Sequence, residues 1–160
     1  MEILFSDNLE SLHDRLSIMG RDLLLETMPS IINGTNKRIK QNEDEVTYAY
    51  NIKREEEHID LSKTRREVFN QIRGLSPVPG ANLLVDGEEF KIYGSEISER
   101  KFTNKEIGEV TGLYKEGIGV MTSDGEIILT DIKPFGKKRM SASSYINGLH
   151  DKSLVGKVLG

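Results

Sequence analysis

The chain has 160 residues, of which 36% are hydrophobic and 30% are charged, and its formal net charge is −4. This length and composition are typical of one soluble globular domain, or of one such domain with an appendage, and they exclude collagen-like, low-complexity and membrane-spanning classes. Cysteine is absent, which excludes disulfides, thiolate metal sites and a cysteine nucleophile. No signal-peptide pattern opens the chain, so we expect a cytoplasmic protein with no membrane attachment.

The charges are distributed unevenly along the chain. Residues 1–60 hold 7 basic and 13 acidic side chains, whereas residues 131–160 hold 6 basic and 2 acidic ones. An acidic front and a basic tail allow local binding of a polyanion despite the negative overall charge.

The N-terminal segment, residues 1–34, predicts two helices after a short strand end. Asp7 and Glu10 form a capping-box pattern that opens the first helix. Gly20 separates it from a second helical run, in which Pro29 predicts a kink. We therefore expect two helices that belong to an incomplete unit.

The apolar residues of these helices have little nearby to pack against. They recur at helical spacing and comprise Leu9, Leu12, Leu16, Leu23, Leu24, Met28 and Ile32. An exposed apolar stripe of this size predicts either self-association through residues 8–33 or local disorder of this segment.

Residues 35–60 are polar and charged and predict a linker between two bodies. The triplet Glu55-Glu56-Glu57 within it favours a solvated face over a cation site, because adjacent carboxylates do not converge on one point without a defined loop.

Residues 61–160 predict a mainly β domain. Thr64 and Glu67 form a capping box for one helix, and Asp86-Gly87 is the two-residue turn of a hairpin. Glycine turns separate three further short strands within 108–133, and Ser141 caps a last short helix. Five to six short strands with one or two helices favour a small closed or nearly closed barrel.

No catalytic constellation is visible in the sequence. His13, His58 and His150 lack the spacing of metal ligands, and neither a nucleophile elbow nor a phosphate-binding loop is present. We therefore expect no catalytic residue and no metal site in this chain.

The strongest candidate for binding is a basic cluster after the last long predicted strand. It comprises Lys133, Lys137, Lys138 and Arg139, with Phe135 and Tyr145 nearby. Cations neutralise phosphates and aromatic rings stack on bases, so the cluster predicts a nucleic-acid contact. A positively charged loop that only keeps the domain soluble is the alternative.

Three stretches of the chain resemble, in order, the linker and C-terminal domain of methionyl-tRNA formyltransferases. They are VTYAYNIKREEEHIDLS at 46–62, IRGLSPVPGA at 72–81 and IKPFGKKRMSASSYINGL at 132–149. Residues 9–35 resemble the closing helices of the same family's catalytic domain. The resemblance therefore divides the chain into residues 1–34 as the end of a Rossmann-like domain, a linker at 35–60, and an OB-like domain at 61–160.

The resemblance implies a role in translation initiation. The family transfers a formyl group from 10-formyltetrahydrofolate to initiator methionyl-tRNA, and its catalytic asparagine, histidine and aspartate have no match here. This chain would then contribute weak, electrostatic tRNA binding and no chemistry, with no cofactor of its own. The family's linker cations match Lys53 and Arg54, and its basic segment matches Lys137 and Lys138. Asn51 stands where the family often has lysine, which weakens the linker's contribution.

Two other interpretations remain open. The chain is either a protein-interaction domain that uses its exposed N-terminal helices, or the C-terminal part of a relative acting on sugar nucleotides or folates. An intact enzyme would need an acid, base or nucleophile set that this sequence lacks, and formyl transfer by this chain alone would reveal one. A salt series of tRNA binding separates a tRNA-binding module from an interaction domain.

Overall fold

The computed structural model describes residues 1–149 and 153–160, and it divides the chain into two compact units, residues 1–52 and 53–160. His150, one of the three histidines considered as metal ligands, and Lys152, one of the six basic residues of 131–160, lie outside the described residues. Within the described part, no helix is long and apolar enough to cross a membrane.

The first unit contains one long helix, α1 (Leu9–Ile32), and a short 3-10 turn at Glu43–Glu45. The prediction of two helices is wrong, because the helix continues through Gly20. A glycine in a helix interior costs only about 1 kcal/mol relative to alanine. The other residues of this 24-residue helix offset that cost. The predicted strand end at residues 3–5 is also absent from the first unit.

The cap of α1 differs from the predicted one by one residue. Asn8 is the N-cap, and it exchanges hydrogen bonds with Ser11, whose backbone N–H donates to the Asn8 side chain at 2.9 Å. Asp7 instead accepts from the backbone N–H of Leu4 at 2.7 Å and pairs with Arg15. These bonds lower the pKa of Asp7, the Leu4 N–H contributing most and Arg15 next.

The second unit is a curled antiparallel sheet with two helices, which confirms the expectation of a small OB-like β domain. After a 3-10 turn at Arg54–Glu57 come α2 (Arg65–Leu75), β1 (Ala81–Val85), β2 (Glu88–Ile97), β3 (Val110–Leu113), β4 (Ile118–Met121), β5 (Glu126–Lys133), β6 (Met140–Ser141) and α3 (Ala142–Asn147). The strand order is β1-β2-β5-β4-β3, and β6 pairs with β5. The two-residue strand β6 was not predicted.

Local sequence signals correctly placed several of these elements. The Thr64–Glu67 capping box begins α2. Asp86 and Gly87 have φ values of 53° and 83°, as the favoured two-residue hairpin turn requires, and they join β1 to β2. Ser141 caps α3, and Gly148 follows its last residue.

The core lies between α2 and the concave face of the sheet. The helix contributes Val68, Phe69, Ile72 and Leu75, and the strands contribute Leu83, Phe90, Ile92, Val110, Ile118, Val120, Ile127, Leu129 and Ile132. Segments outside these elements complete the core with Ile59, Leu61, Leu154 and Leu159.

Residues 156–160 connect the two edges of the sheet. The backbone N–H of Leu84 in β1 donates to the carbonyl of Gly160 at 2.6 Å, and the N–H of Val110 in β3 donates to the carbonyl of Lys157 at 2.8 Å. Leu159 also donates to the carbonyl of Gly108 at 2.9 Å. This segment therefore closes the sheet into a barrel and satisfies backbone groups that an open edge would leave unpaired.

We expect Leu159→Ala to lower the free energy of unfolding by about 2–3 kcal/mol, because it removes a buried side chain from the closing segment. Val158→Ala is the control, since Val158 is mostly exposed, and we expect a change of less than about 0.5 kcal/mol. Urea unfolding followed by circular dichroism measures both. Equal effects of the two substitutions would contradict a structural role for the closing segment.

Candidate nucleic-acid interface

The predicted basic cluster lies on the turn between β5 and β6. Lys133 is the exposed last residue of β5, and Pro134 after it is buried. The backbone N–H of Lys137 donates to the carbonyl of Pro134 at 3.0 Å, and Gly136 adopts a φ of 69°. This turn keeps Lys137 and Lys138 exposed next to the end of the strand.

Arg139 differs from the three lysines because it is paired within the domain. Its Nε lies 3.1 and 3.0 Å from the two carboxylate oxygens of Asp131, and its second terminal nitrogen lies 2.6 Å from Oδ2. The guanidinium also lies over the ring of Tyr93, 4.4 Å from the centroid. Asp131 therefore neutralises most of the charge that the sequence analysis counted at Arg139.

Lys133, Lys137 and Lys138 form no ion pair within residues 1–149 and 153–160. The ammonium of Lys137 lies 5.3 Å from the centroid of the Tyr145 ring. Within the described residues, three cations at this turn therefore lack a carboxylate partner, where the sequence predicted a cluster of four.

The two linker cations lie at the start of the second unit. The side chain of Arg54 is bonded to both Glu57 and Glu89, and the hydrogen bonds to Glu89 and then Glu57 raise its pKa. The backbone N–H of Lys53 donates to the Glu56 carboxylate at 2.6 Å, and its side chain is exposed. Arg54 is therefore committed to two carboxylates, whereas the Lys53 side chain reaches solvent.

A surface pocket of about 340 Å³ lies beside the turn. It is lined by Glu89 and three lysines, Lys91, Lys133 and Lys137, together with residues 134–136. Lys91 donates to the carbonyl of Pro79 at 2.7 Å and lies 3.5 Å from the Glu57 carboxylate. Glu57, which the sequence analysis treated as part of a solvated face, is buried between Arg54 and Lys91.

The two aromatic residues of the cluster have different environments. Tyr145 packs edge-to-face on Phe90, with 5.6 Å between the ring centroids, and burial raises its pKa. Phe135 is 65% exposed at the tip of the turn. Of these two rings, Phe135 is therefore the one open for stacking on an external group.

The two described histidines each contact one neighbouring polar side chain. His13 is exposed beside Asp14, and His58 contacts the Asn82 side chain at 3.2 Å. In the described part of the chain, no group of three or more histidine, aspartate or glutamate side chains is placed to hold a metal ion.

Comparison with known proteins identifies the family. Residues 51–150 match the model of the formyl transferase C-terminal domain, and the chain belongs to this family. It is 42% identical to a methionyl-tRNA formyltransferase of Lactococcus lactis subsp. lactis (strain IL1403), over 99% of this chain and 50% of that protein. It is 46% identical to that of Staphylococcus aureus (strain MW2), over 96% of this chain and 49% of that protein.

The chain therefore spans about half the length of the curated relatives it matches. Among solved structures, HypX from Aquifex aeolicus in complex with tetrahydrofolic acid is similar, with a TM-score of 0.61. The identity is 20%, over 85% of this chain and 24% of that one, so this similarity concerns the fold alone.

Proposed function

We propose that this chain is the C-terminal part of a methionyl-tRNA formyltransferase and that it contributes tRNA binding rather than chemistry. The whole enzyme would act in the cytoplasm during translation initiation and transfer a formyl group from 10-formyltetrahydrofolate to initiator methionyl-tRNA. The names of the relatives and their twofold greater length support this assignment. We assign no catalytic and no folate-binding residue to this chain, and α1 would be the end of the catalytic domain.

The observation that carries the proposal is the group of three uncompensated lysines on one turn. Lys133, Lys137 and Lys138 are exposed within one six-residue stretch, and none of them forms an ion pair with a carboxylate of the described residues. Ammonium groups of this kind neutralise phosphates and release condensed counterions. The exposed side chain of Lys53, on the same unit, would add to the tRNA contact, whereas Arg54 and Arg139 would act chiefly by stabilising the surface.

The lysine cluster predicts weak and salt-sensitive binding of tRNA. With three phosphates neutralised, the logarithm of affinity should fall against the logarithm of salt concentration with a slope of about −3, at about −0.9 per phosphate. The affinity should lie on the order of 10⁻⁴ to 10⁻⁶ M. Replacing Lys133, Lys137 and Lys138 by alanine should remove most of this slope and weaken binding of all tRNAs alike, as fluorescence anisotropy across a salt series would measure.

The matched control is the triple alanine variant of Lys63, Lys101 and Lys115, three exposed lysines elsewhere on the second unit. It changes the net charge by the same amount and should keep the parental slope. If both triple variants lose equal affinity, binding depends on net charge and the assignment to the β5–β6 turn is wrong.

The ion pair between Asp131 and Arg139 predicts a substitution that strengthens tRNA binding instead of weakening it. Asp131→Asn removes the carboxylate charge that compensates Arg139, so tRNA affinity should rise several-fold and the salt slope should steepen by about 0.9. Glu116→Gln removes an equal charge beside Arg100 and should leave the slope unchanged. An unchanged slope for Asp131→Asn would place Arg139 outside the phosphate contact.

The exposed side chains of α1 favour an additional role in self-association. Leu16, Met19 and Leu23 recur at spacings of three and four, and each is at least 45% exposed. No residue of α1 is buried. We infer that two copies of this chain pair through this seam, as helices with such spacing do.

Replacing Leu16 and Leu23 by serine should therefore shift the chain from dimer to monomer in sedimentation-velocity experiments. The control replaces Ile18 and Leu25, which are equally apolar and exposed but lie away from the seam, and should leave the dimer intact. If the parent chain is monomeric at the same concentration, the inference that two copies pair through this seam is wrong.

A further inference from the structure

The Phe135 ring is placed where it contributes little to the fold. It is 65% exposed and lies outside the buried core. Its neighbours nevertheless hold it in a defined position, because Pro134 is buried and the Lys137 N–H closes the turn onto the Pro134 carbonyl. A single exposed ring is ordinary on a protein surface, so what points to a ligand at Phe135 is the positive charge placed around it.

The surroundings of the ring combine a flat apolar face with positive charge. Lys133 precedes it by two residues and Lys137 follows it by two, and all three side chains line the same pocket of about 340 Å³. This volume lies at the lower end of the range for small-molecule pockets. Glu89 also lines the pocket, but its carboxylate is bonded to Arg54, so its charge is balanced.

We propose that this pocket takes one unpaired nucleotide, with its base stacked on Phe135 and its phosphate between Lys133 and Lys137. The inference rests on the proposed RNA-binding function and specifies the kind of RNA feature that the turn selects. Single-stranded nucleotides stack on exposed aromatic rings, whatever the base. Bases within a duplex already stack on their neighbours, so a ring at the tip of a turn has no free base face to contact there.

Tyr145 does not take this role. Its ring packs on Phe90, and the Lys137 ammonium lies over its face. Tyr145 therefore helps to hold Lys137 in position. The turn therefore provides one stacking ring and two flanking cations, which corresponds to a single nucleotide.

The test compares two RNA probes of equal stem length at one salt concentration, a hairpin with an unpaired loop and a blunt duplex. Phe135→Ala should weaken hairpin binding about tenfold, within the range measured for base–aromatic stacking, and should leave duplex binding unchanged. Phe135→Tyr should restore hairpin binding, whereas Phe135→Leu should not. Phe5→Ala, which removes an exposed ring from the other unit, should change neither affinity.

The outcomes separate the two proposals. If the parent binds both probes and Phe135→Ala weakens neither or both equally, the nucleotide subsite is wrong and the lysine contact stands. If Phe135→Leu binds the hairpin as well as Phe135→Tyr, the contact is not stacking and the inference also fails. If the parent binds neither probe at low salt, the RNA-binding function itself is overturned, and the subsite with it.

Discussion

The pairing of β5 joins the two halves of the sheet in the second unit. This strand is hydrogen-bonded to β2 on one side and to β4 on the other, and its last residues pair with β6. It begins at Glu126, a fully buried carboxylate that accepts from Tyr114 at 2.9 Å and from Thr111, and that lies 3.5 Å from Arg100. These contacts attach the β3–β4 hairpin to the start of β5. A buried charge with such partners is costly to disturb.

Pairing of charges, rather than their number, defines the candidate interface. The sequence places cations at several positions, but Asp131 compensates Arg139, while Glu57 and Glu89 compensate Arg54. Three lysines on one turn remain without a carboxylate partner in the described chain. Since a phosphate binds most readily to a cation that has no competing anion, a small surface within an acidic chain can still attract a polyanion.

Features that depend on neighbouring residues could be predicted from the sequence, and features that depend on distant ones could not. The turn at Asp86-Gly87 and the cap at Thr64 each depend on a few consecutive residues, and both were placed correctly. The position of the basic cluster at the end of β5 could also be predicted, because its lysines lie close together in the chain. The Asp131–Arg139 pair was missed because it forms across the β5–β6 turn. The closing segment was missed because Lys157 bonds with Val110, far back in the sequence, and no local pattern marks such a partner. The break predicted at Gly20 is wrong, because the free-energy cost of one glycine in a helix is smaller than the combined helix propensity of the residues around it.

The segment that closes the barrel is synthesised after the two edge strands that it pairs with. A ribosome produces β1 and β3 well before residues 156–160, so the nascent sheet has two unpaired edges during that interval. Each edge is a template for another strand, including one from a neighbouring nascent chain. Loss of the closing residues through proteolysis or premature termination would make that temporary state permanent. A chain without these five residues would keep its open edges and would be a substrate for quality-control proteases, which recognise unstable chains.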